Sequence, residues 1–191
     1  MATPRVVGPH DGHLAILGGT SAGFVITGDD ASKRFALVEH PMQPRALAAP
    51  MHRHHREDEY SFVLEGSIGA LLGDSVVIGH RGDLIFKTRE QWHTFWNAGD
   101  TPARVLEIIS PAGFENYFRE LGAELINGPR SAAARGALRT LCARHGHEQR
   151  SWPYPTLRSS LSGRTAAGAA LNCFLWRLPG LAQMRSACCI V

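Results

Sequence analysis

Short apolar segments separated by turn residues recur through the first two-thirds of this 191-residue chain, and they limit what it can fold into. Glycine and aspartate mark several of the turns, as at Gly73-Asp74 and Gly82-Asp83. Many short strands at this spacing are typical of an all-β sandwich or barrel. The sequence therefore predicts an all-β fold built from LAILGG, GFVITG, FALVEH, YSFVLEG, IGALLG, SVVIG, DLIFK, WHTFWN and ARVLEIIS.

The hydrophobic period changes after Pro111, where GFENYFRELGAEL places its apolar residues on one helical face. This pattern predicts a helix that packs against the outside of the barrel. The residues on its apolar face are Phe114, Tyr117, Phe118, Leu121 and Leu125.

A second helix is predicted from Ser131, a suitable N-cap, to about His145. The predicted organisation is then a barrel with its first packing helix over 1–125, a helical extension over 126–150 and an irregular tail over 151–191. The tail has no clean hydrophobic periodicity.

The most informative chemical feature is the segment PMHRHHREDEYSFVLEG, residues 50–66. On an extended strand alternate side chains share a face, so His52 and His54 can present two imidazoles to one ion. Glu59 has the wrong parity to join them on the same strand. The polar residues 55–58 predict a hairpin connection that returns Glu59 on a paired strand.

A fourth candidate ligand, His93, lies in the later segment GDLIFKTREQWHTFWN. Mixed imidazole and carboxylate ligands suit Fe, Mn, Ni, Cu or Zn better than Ca or Mg, which prefer oxygen ligands. The sequence thus predicts one divalent transition metal ion held by His52, His54, Glu59 and His93. His55, Glu57 and Asp58 are predicted to be solvated turn residues instead.

The first of these segments resembles the first motif of the cupins, G-x5-HxH-x(3,4)-E-x6-G. The match consists of His52, His54, Glu59 and Gly66, with Ala46 in place of the leading glycine. The second motif, G-x5-PxG-x2-H-x3-N, is similar to the later segment.

That second match consists of Gly82, His93 and Asn97, while residues 88–90 read Thr-Arg-Glu where the family has Pro-x-Gly. The resemblance covers about residues 23–121. It implies a cupin jelly roll of the small single-domain, quercetin dioxygenase-like type, with the metal inside the barrel.

For function, the resemblance implies a mononuclear metalloenzyme, with dioxygenation of a small aromatic or enolisable compound as the leading chemistry. In such an enzyme Glu59 is either a ligand or the catalytic base that takes the substrate proton. Two alternatives stay open: a metal-dependent isomerase or lyase acting on a sugar or keto acid, and a cupin that binds a small molecule without catalysis.

Strand parity also predicts which neighbours face the substrate. Ser61 and Val63 share a face with Glu59, and Phe95 shares a face with His93, so these three predict the substrate pocket. Trp92 and Trp96 point the other way and are predicted to be packing residues.

An apolar row on the opposite face of the YSFVLEG strand predicts a covered surface. The row, and the frequency of dimers among similar proteins, predict a homodimer. Its members are Tyr60, Phe62 and Leu64.

Composition argues against other partners. The formal net charge is +3 and the arginines are scattered, which predicts no nucleic-acid binding. The longest apolar stretch, 166–178, is interrupted by Asn172 and Arg177, which predicts no membrane span.

The amino terminus lacks the pattern of a secretory signal. The cysteines have no CxxC partner and predict reduced thiols in a cytoplasmic protein. They are Cys142, Cys173, Cys188 and Cys189.

Overall fold

The structure is a computed structural model that describes residues 6–8, 11–127 and 144–149. It confirms the predicted fold class, because the described residues form two antiparallel sheets and one helix in a jelly roll. The strands are β1 (Leu14–Ile16), β2 (Ser21–Ile26), β3 (Ala36–Met42), β4 (His52–His54), β5 (Asp58–Glu65), β6 (Ser67–Leu72), β7 (Ser75–His80), β8 (Leu84–Lys87), β9 (His93–Asn97), β10 (Ala103–Ser110) and β11 (His147–Gln149), and the helix is α1 (Glu115–Asn127).

Two sheets enclose the core. The first sheet has the strand order β1-β2-β3-β10-β5-β8, and the second sheet has the order β11-β4-β9-β6-β7. Alternate residues of β3 and β10 are buried, as expected for strands with one face toward a core. The centre of the barrel is a cluster of Met42, Val63, Ile68, Ala70, Ile85, Phe95, Ala103 and Val105.

The connection between β4 and β5 is not the predicted hairpin. β4 pairs with β9 and β11 in the second sheet, whereas β5 pairs with β10 and β8 in the first. Residues 55–57 therefore cross from one sheet to the other. This crossing matters for the site because it places His54 and Glu59 on facing sheets.

The helix α1 forms where the sequence predicts a helix, but it does not pack on the outside of the barrel. Phe114 and Tyr117 belong to a buried cluster with Ala15 and Phe24, on the inner face of β1 and β2. Leu125, which was predicted on the packing face, is 54% exposed. The beginning of α1 therefore closes the barrel interior.

The turn before β9 forms without the proline and glycine of the cupin motif. Glu90 stands at the position of the glycine and adopts a left-handed φ of 63°. The amide N–H of Glu90 donates to the carbonyl of His54 at 2.7 Å, and that of Gln91 donates to Thr88 at 3.2 Å. These bonds hold the backbone that carries His93.

The predicted second helix, apart from its last residues, lies outside the described residues, as does the predicted tail over 151–191. Within the predicted helical extension over 126–150, the structure describes the end of α1 and residues 144–149, where β11 pairs with β4. No helix among the described residues is long and apolar enough to cross a membrane.

The two motif glycines both take left-handed backbone conformations, with φ values of 77° for Gly66 and 94° for Gly82. They differ in their surroundings. A Cβ atom at Gly66 would lie 2.8 Å from the Cβ of Ala103, whereas a Cβ at Gly82 would meet nothing within 4 Å.

We expect Gly82→Ala to lower the free energy of unfolding by about 1 to 2 kcal/mol, because of backbone strain alone. Gly66→Ala should lower it by at least about 1 kcal/mol more, because its methyl group also collides with Ala103. Urea unfolding of both variants measures the difference. Equal losses would contradict the close approach of Gly66 to β10.

Candidate metal centre

Strand pairing brings the first and last candidate ligands together. β4 and β9 are antiparallel neighbours in which His52 lies directly opposite His93. The ring centroids of these two residues are 4.3 Å apart. His54 lies two residues along β4 on the same face, with its ring centroid 5.0 Å from that of His52.

Glu59 approaches these histidines from the facing sheet. Its Oε1 lies 3.3 Å from Nε2 of His54, and its Oε2 lies 3.3 Å from Nε2 of His93. The ligand atoms of His52, His54, Glu59 and His93 all lie within 4.8 Å of one another, and all four residues are buried. These four are called the histidine-glutamate group below.

Backbone carbonyls set the tautomer of two of the imidazoles. Nδ1 of His52 lies 2.7 Å from the carbonyl of Pro50, and Nδ1 of His93 lies 2.9 Å from that of Gln91. Because a carbonyl only accepts hydrogen bonds, each Nδ1 carries the proton and each Nε2 carries the lone pair. Metal-binding histidines are commonly oriented by a bond of this kind.

The histidine-glutamate group fits a divalent transition metal ion. Three imidazoles and one carboxylate are ligands that such ions accept. Burial lowers the pKa of His93, which keeps its imidazole neutral, as a ligand must be. Atoms that share an ion at about 2.1 Å are at most about 4.2 Å apart, so the group needs only a small contraction.

A buried lysine, which the sequence analysis did not identify, lies behind Glu59. Lys87 is opposite Glu59 in the pairing of β5 with β8. Its Nζ lies 2.9 Å from Oε2 of Glu59 and 2.9 Å from Oε1 of Glu107. The ammonium also lies 4.3 Å from the ring centroid of Phe95.

The three charged groups shift one another's pKa values. Burial alone raises the pKa of Glu59, but Lys87 and His54 lower it well below its usual value. Burial also opposes the charge on Lys87, yet Glu107 and Glu59 raise the pKa of Lys87. Burial raises the pKa of Glu107, although Lys87 and the Ser61 hydroxyl oppose this. Glu59 is thus the carboxylate and Glu107 the more easily protonated partner.

A small cavity adjoins the histidine-glutamate group. About 20 Å³ of it is accessible to the centre of a water molecule, which is room for a single water. His52 and Glu59 line one part, and His40 and Glu107 line another. The aromatic wall consists of Phe95, Phe114, Tyr117 and Phe118.

The predicted pocket residues take different positions. Phe95 lines this cavity. The Ser61 hydroxyl instead donates to the Glu107 carboxylate at 2.9 Å, and Val63 belongs to the central core. Neither Ser61 nor Val63 is among the described residues that line the cavity.

The residues predicted to lie in a solvated turn differ in their exposure. His55 is partly exposed and lies 2.9 Å from the Glu90 carboxylate, and Asp58 pairs with Arg89 at 2.6 Å on the surface. Glu57, predicted to be a surface charge, is only 3% exposed, and burial raises the pKa of its carboxyl group. It is buried because the chain at 55–57 crosses between the sheets instead of turning in solvent.

The sequence analysis missed Lys87, Glu107 and His40, although strand parity contained a signal for each. Each is a polar residue on a strand face that is otherwise apolar. Lys87 lies two residues after Ile85, Glu107 two after Val105 and His40 two after Val38. A single polar residue on an otherwise apolar strand face therefore points to the barrel interior.

The central position of Lys87 leads to a stability prediction. Lys87→Met leaves two buried carboxylates without their cation and should lower the free energy of unfolding by about 3 kcal/mol. Adding Glu107→Gln should restore part of this loss, because it removes one of the stranded charges. Urea unfolding of the two single variants and the double variant measures the coupling.

Lys33→Met is the matched control, since Lys33 pairs with Asp29 at the surface and its loss should cost much less stability than Lys87→Met. Additive effects of Lys87→Met and Glu107→Gln would contradict the buried ion pair.

Comparison with known proteins finds a cupin domain within this chain. Residues 39–109 match the family described as a cupin domain. The tetracenomycin polyketide synthase protein TcmJ of Streptomyces glaucescens is 32% identical over 81 residues, which are 42% of this chain and 54% of TcmJ. The chain thus spans about half the length of this curated relative.

Solved structures agree with the fold. The polyketide cyclase RemF of Streptomyces resistomycificus matches with a TM-score of 0.50 and 28% identity, over 56% of this chain and 80% of RemF. KdgF of Halomonas sp. matches with a TM-score of 0.51 and 17% identity, over 58% of this chain and 96% of KdgF, which supports the fold alone. The two facing sheets, the cupin domain match over residues 39–109 and the buried histidine-glutamate group that could hold a metal ion together support membership of this chain in the cupin superfamily.

Proposed function

We propose that this protein is a metal-dependent enzyme that binds an oxygen atom of a small enolisable or aromatic compound and transfers a proton inside the barrel. The observation that carries the proposal is the buried histidine-glutamate group beside the ion pair of Lys87 with Glu107. A site that contained only metal ligands and apolar walls would lack the groups for proton transfer.

The proposed ligands are His52, His54, Glu59 and His93. A divalent ion held there would act as a Lewis acid that polarises a carbonyl or enol oxygen. The lowered pKa of Glu59 makes its carboxylate a weak base, which favours the role of ligand over that of catalytic base. Lys87 orients the carboxylate through its contact with Oε2.

Glu107 is the proposed proton-transfer group. It lines the cavity, and burial raises its pKa, so that its carboxyl group can hold a proton closer to neutral pH. Lys87 and Ser61 fix its two oxygens. The proton of the substrate would therefore move to or from a carboxyl oxygen of Glu107.

The reaction best supported is one without net oxidation, such as ring closure of a polycarbonyl compound. The polar interior formed by Lys87, Glu107 and His40 favours the isomerase or lyase class over chemistry in an apolar pocket. The likeness to a polyketide cyclase and to a polyketide synthase protein supports the same class of compound.

Dioxygenation is the second candidate, and the aromatic wall of the cavity favours it. Phe95, Phe114 and Phe118 would pack against a flat aromatic substrate. Both reactions begin with removal of a proton from an enol, a phenol or an acidic carbon. The same residues would therefore serve either reaction up to that step.

We further propose that the protein acts as a cytoplasmic homodimer. Support comes from an apolar outer surface on the first sheet, where the rings of Tyr60 and Phe86 stack with centroids 4.7 Å apart. Phe62 and Leu84 are also exposed on this sheet. Exposed apolar rows of this kind are common at subunit contacts.

The metal proposal is tested by comparing two neighbouring histidines. We expect the wild-type protein to bind about one equivalent of Zn²⁺ or Mn²⁺, and His52→Ala to weaken that binding at least tenfold because a ligand is lost. His55→Ala should bind as the wild type does, since His55 faces Glu90 at the surface. Isothermal titration calorimetry and elemental analysis measure both, and equal loss in the two variants would refute the assignment.

The reaction is tested with heptane-2,4,6-trione and a flavonol. Ring closure predicts that the metal-loaded protein converts the trione to 5-methylresorcinol with loss of one water and without oxygen uptake, as followed by mass spectrometry and an oxygen electrode. Glu107→Gln should slow this at least about tenfold while metal content stays unchanged. Oxygen uptake with the flavonol alone would favour dioxygenation, and binding without conversion of either compound would favour a non-catalytic cupin.

A further inference from the structure

His40 is a buried histidine outside the histidine-glutamate group. It lies on β3 with its side chain on the inner face, in line with Ala36 and Val38, and is 3% exposed. The ring lines the same small cavity as Glu59 and Glu107.

The hydrogen bonding of His40 defines what its ring offers to that cavity. Nδ1 lies 2.8 Å from the carbonyl oxygen of Ser21 on β2. The carbonyl is an acceptor, so Nδ1 carries the proton and Nε2 carries a lone pair. Among the residues that the structure describes, Nε2 has no hydrogen-bond partner.

The ring is held in place and kept neutral. Phe118 contacts it edge-on with centroids 5.0 Å apart, and Phe95 does so at 6.2 Å. Burial lowers the pKa of His40 to about 4. At neutral pH the residue is therefore a fixed acceptor. A buried acceptor without a partner is costly, and a ligand that donates a hydrogen bond removes that cost.

We propose that Nε2 of His40 accepts a hydrogen bond from a hydroxyl group of the substrate, while a second oxygen of the same molecule faces the histidine-glutamate group. This inference rests on the proposed function and narrows it to substrates with two separated oxygens, such as a meta-dihydroxy aromatic compound or the enol of a polycarbonyl chain. His40 then determines specificity for a hydroxyl donor over an ether or a ketone in that position.

The test uses 1,3-dihydroxynaphthalene and 3-methoxynaphthalen-1-ol. Two meta oxygens cannot both reach one ion, so the second oxygen of the diol is free to meet another partner. The methyl ether keeps one hydroxyl group but cannot donate from the second oxygen. Affinities for the full chain loaded with Zn²⁺ are measured by isothermal titration calorimetry.

Two variants separate the nitrogen atoms of His40. The amide of His40→Asn stands near the position of Nδ1, so it can keep the bond to Ser21 while the acceptor in the cavity is lost. The amide of His40→Gln reaches the position of Nε2, and its oxygen can accept. We expect His40→Asn to bind the diol roughly tenfold more weakly than the wild type, and His40→Gln to bind it within about threefold of the wild type. Neither change should alter the affinity for the ether by more than about twofold.

Equal weakening of diol and ether in His40→Asn, or unchanged diol binding in that variant, would overturn the proposal. Failure of the wild-type protein to bind either compound would overturn it as well. Nitrogen-15 NMR of the zinc-loaded chain gives a check without a ligand or a variant: the proposal requires the proton of His40 on Nδ1, and a proton on Nε2 refutes it.

The same titrations distinguish this inference from the proposed function. If the metal-free protein binds the diol as tightly as the zinc-loaded protein does, the proposed role of the metal in substrate binding fails. The loss of diol affinity caused by His40→Asn would still be measurable in the metal-free protein, and it would still support the hydroxyl contact.

Discussion

The approach of Glu59 to the histidines of the facing sheet is the contact on which the rest of the site depends. One carboxylate lies within 3.3 Å of His54 and His93 and within 2.9 Å of Lys87. Such a charge is costly to bury unless it is paired, so each partner is needed to keep it in the barrel. The crossing of the chain at 55–57 makes this contact possible, because it moves the backbone from one sheet to the other over three residues.

Lys87 connects the candidate ligand to the rest of the interior. Its single positive charge is shared by Glu59 and Glu107, so the two carboxylates cannot both be fully neutralised by it. A divalent ion beside Glu59 would add positive charge on that side and make it easier for Glu107 to ionise. Occupation of the metal site would therefore be linked to the protonation of Glu107, and this linkage would suit the proposed reaction, in which proton transfer follows binding at the ion.

Strand parity predicted the shared face of His52 and His54 but not the strand pairing. They share a face because side-chain alternation is local. Glu59 was added by an expected hairpin and His93 by the later segment, and both match the motif spacing. The hairpin prediction was wrong because a short polar link looks the same whether it turns back or crosses to a facing sheet. The pairing of β5 with β10 joins residues 39 to 52 positions apart, from Arg104 with Glu65 to Ser110 with Asp58, and no local pattern records it. Parity marks Lys87 and Glu107 as polar residues on apolar strand faces, but the ion pair that they form joins different strands and is not recorded locally.

The cavity volume bears on how a substrate could enter. Room for one water is far too little for a ring compound, so some part of the wall must move. Widening the barrel would break backbone hydrogen bonds along the paired strands, which is costly. Phe114, Tyr117 and Phe118 instead belong to one turn of chain at the start of α1, and rotation of these side chains breaks no strand pairing. The Glu115 carboxylate accepts the N–H of Gly28 at 2.9 Å and anchors that turn. Entry past the aromatic side chains, with the helix backbone held in place, is therefore the route that costs the fold least.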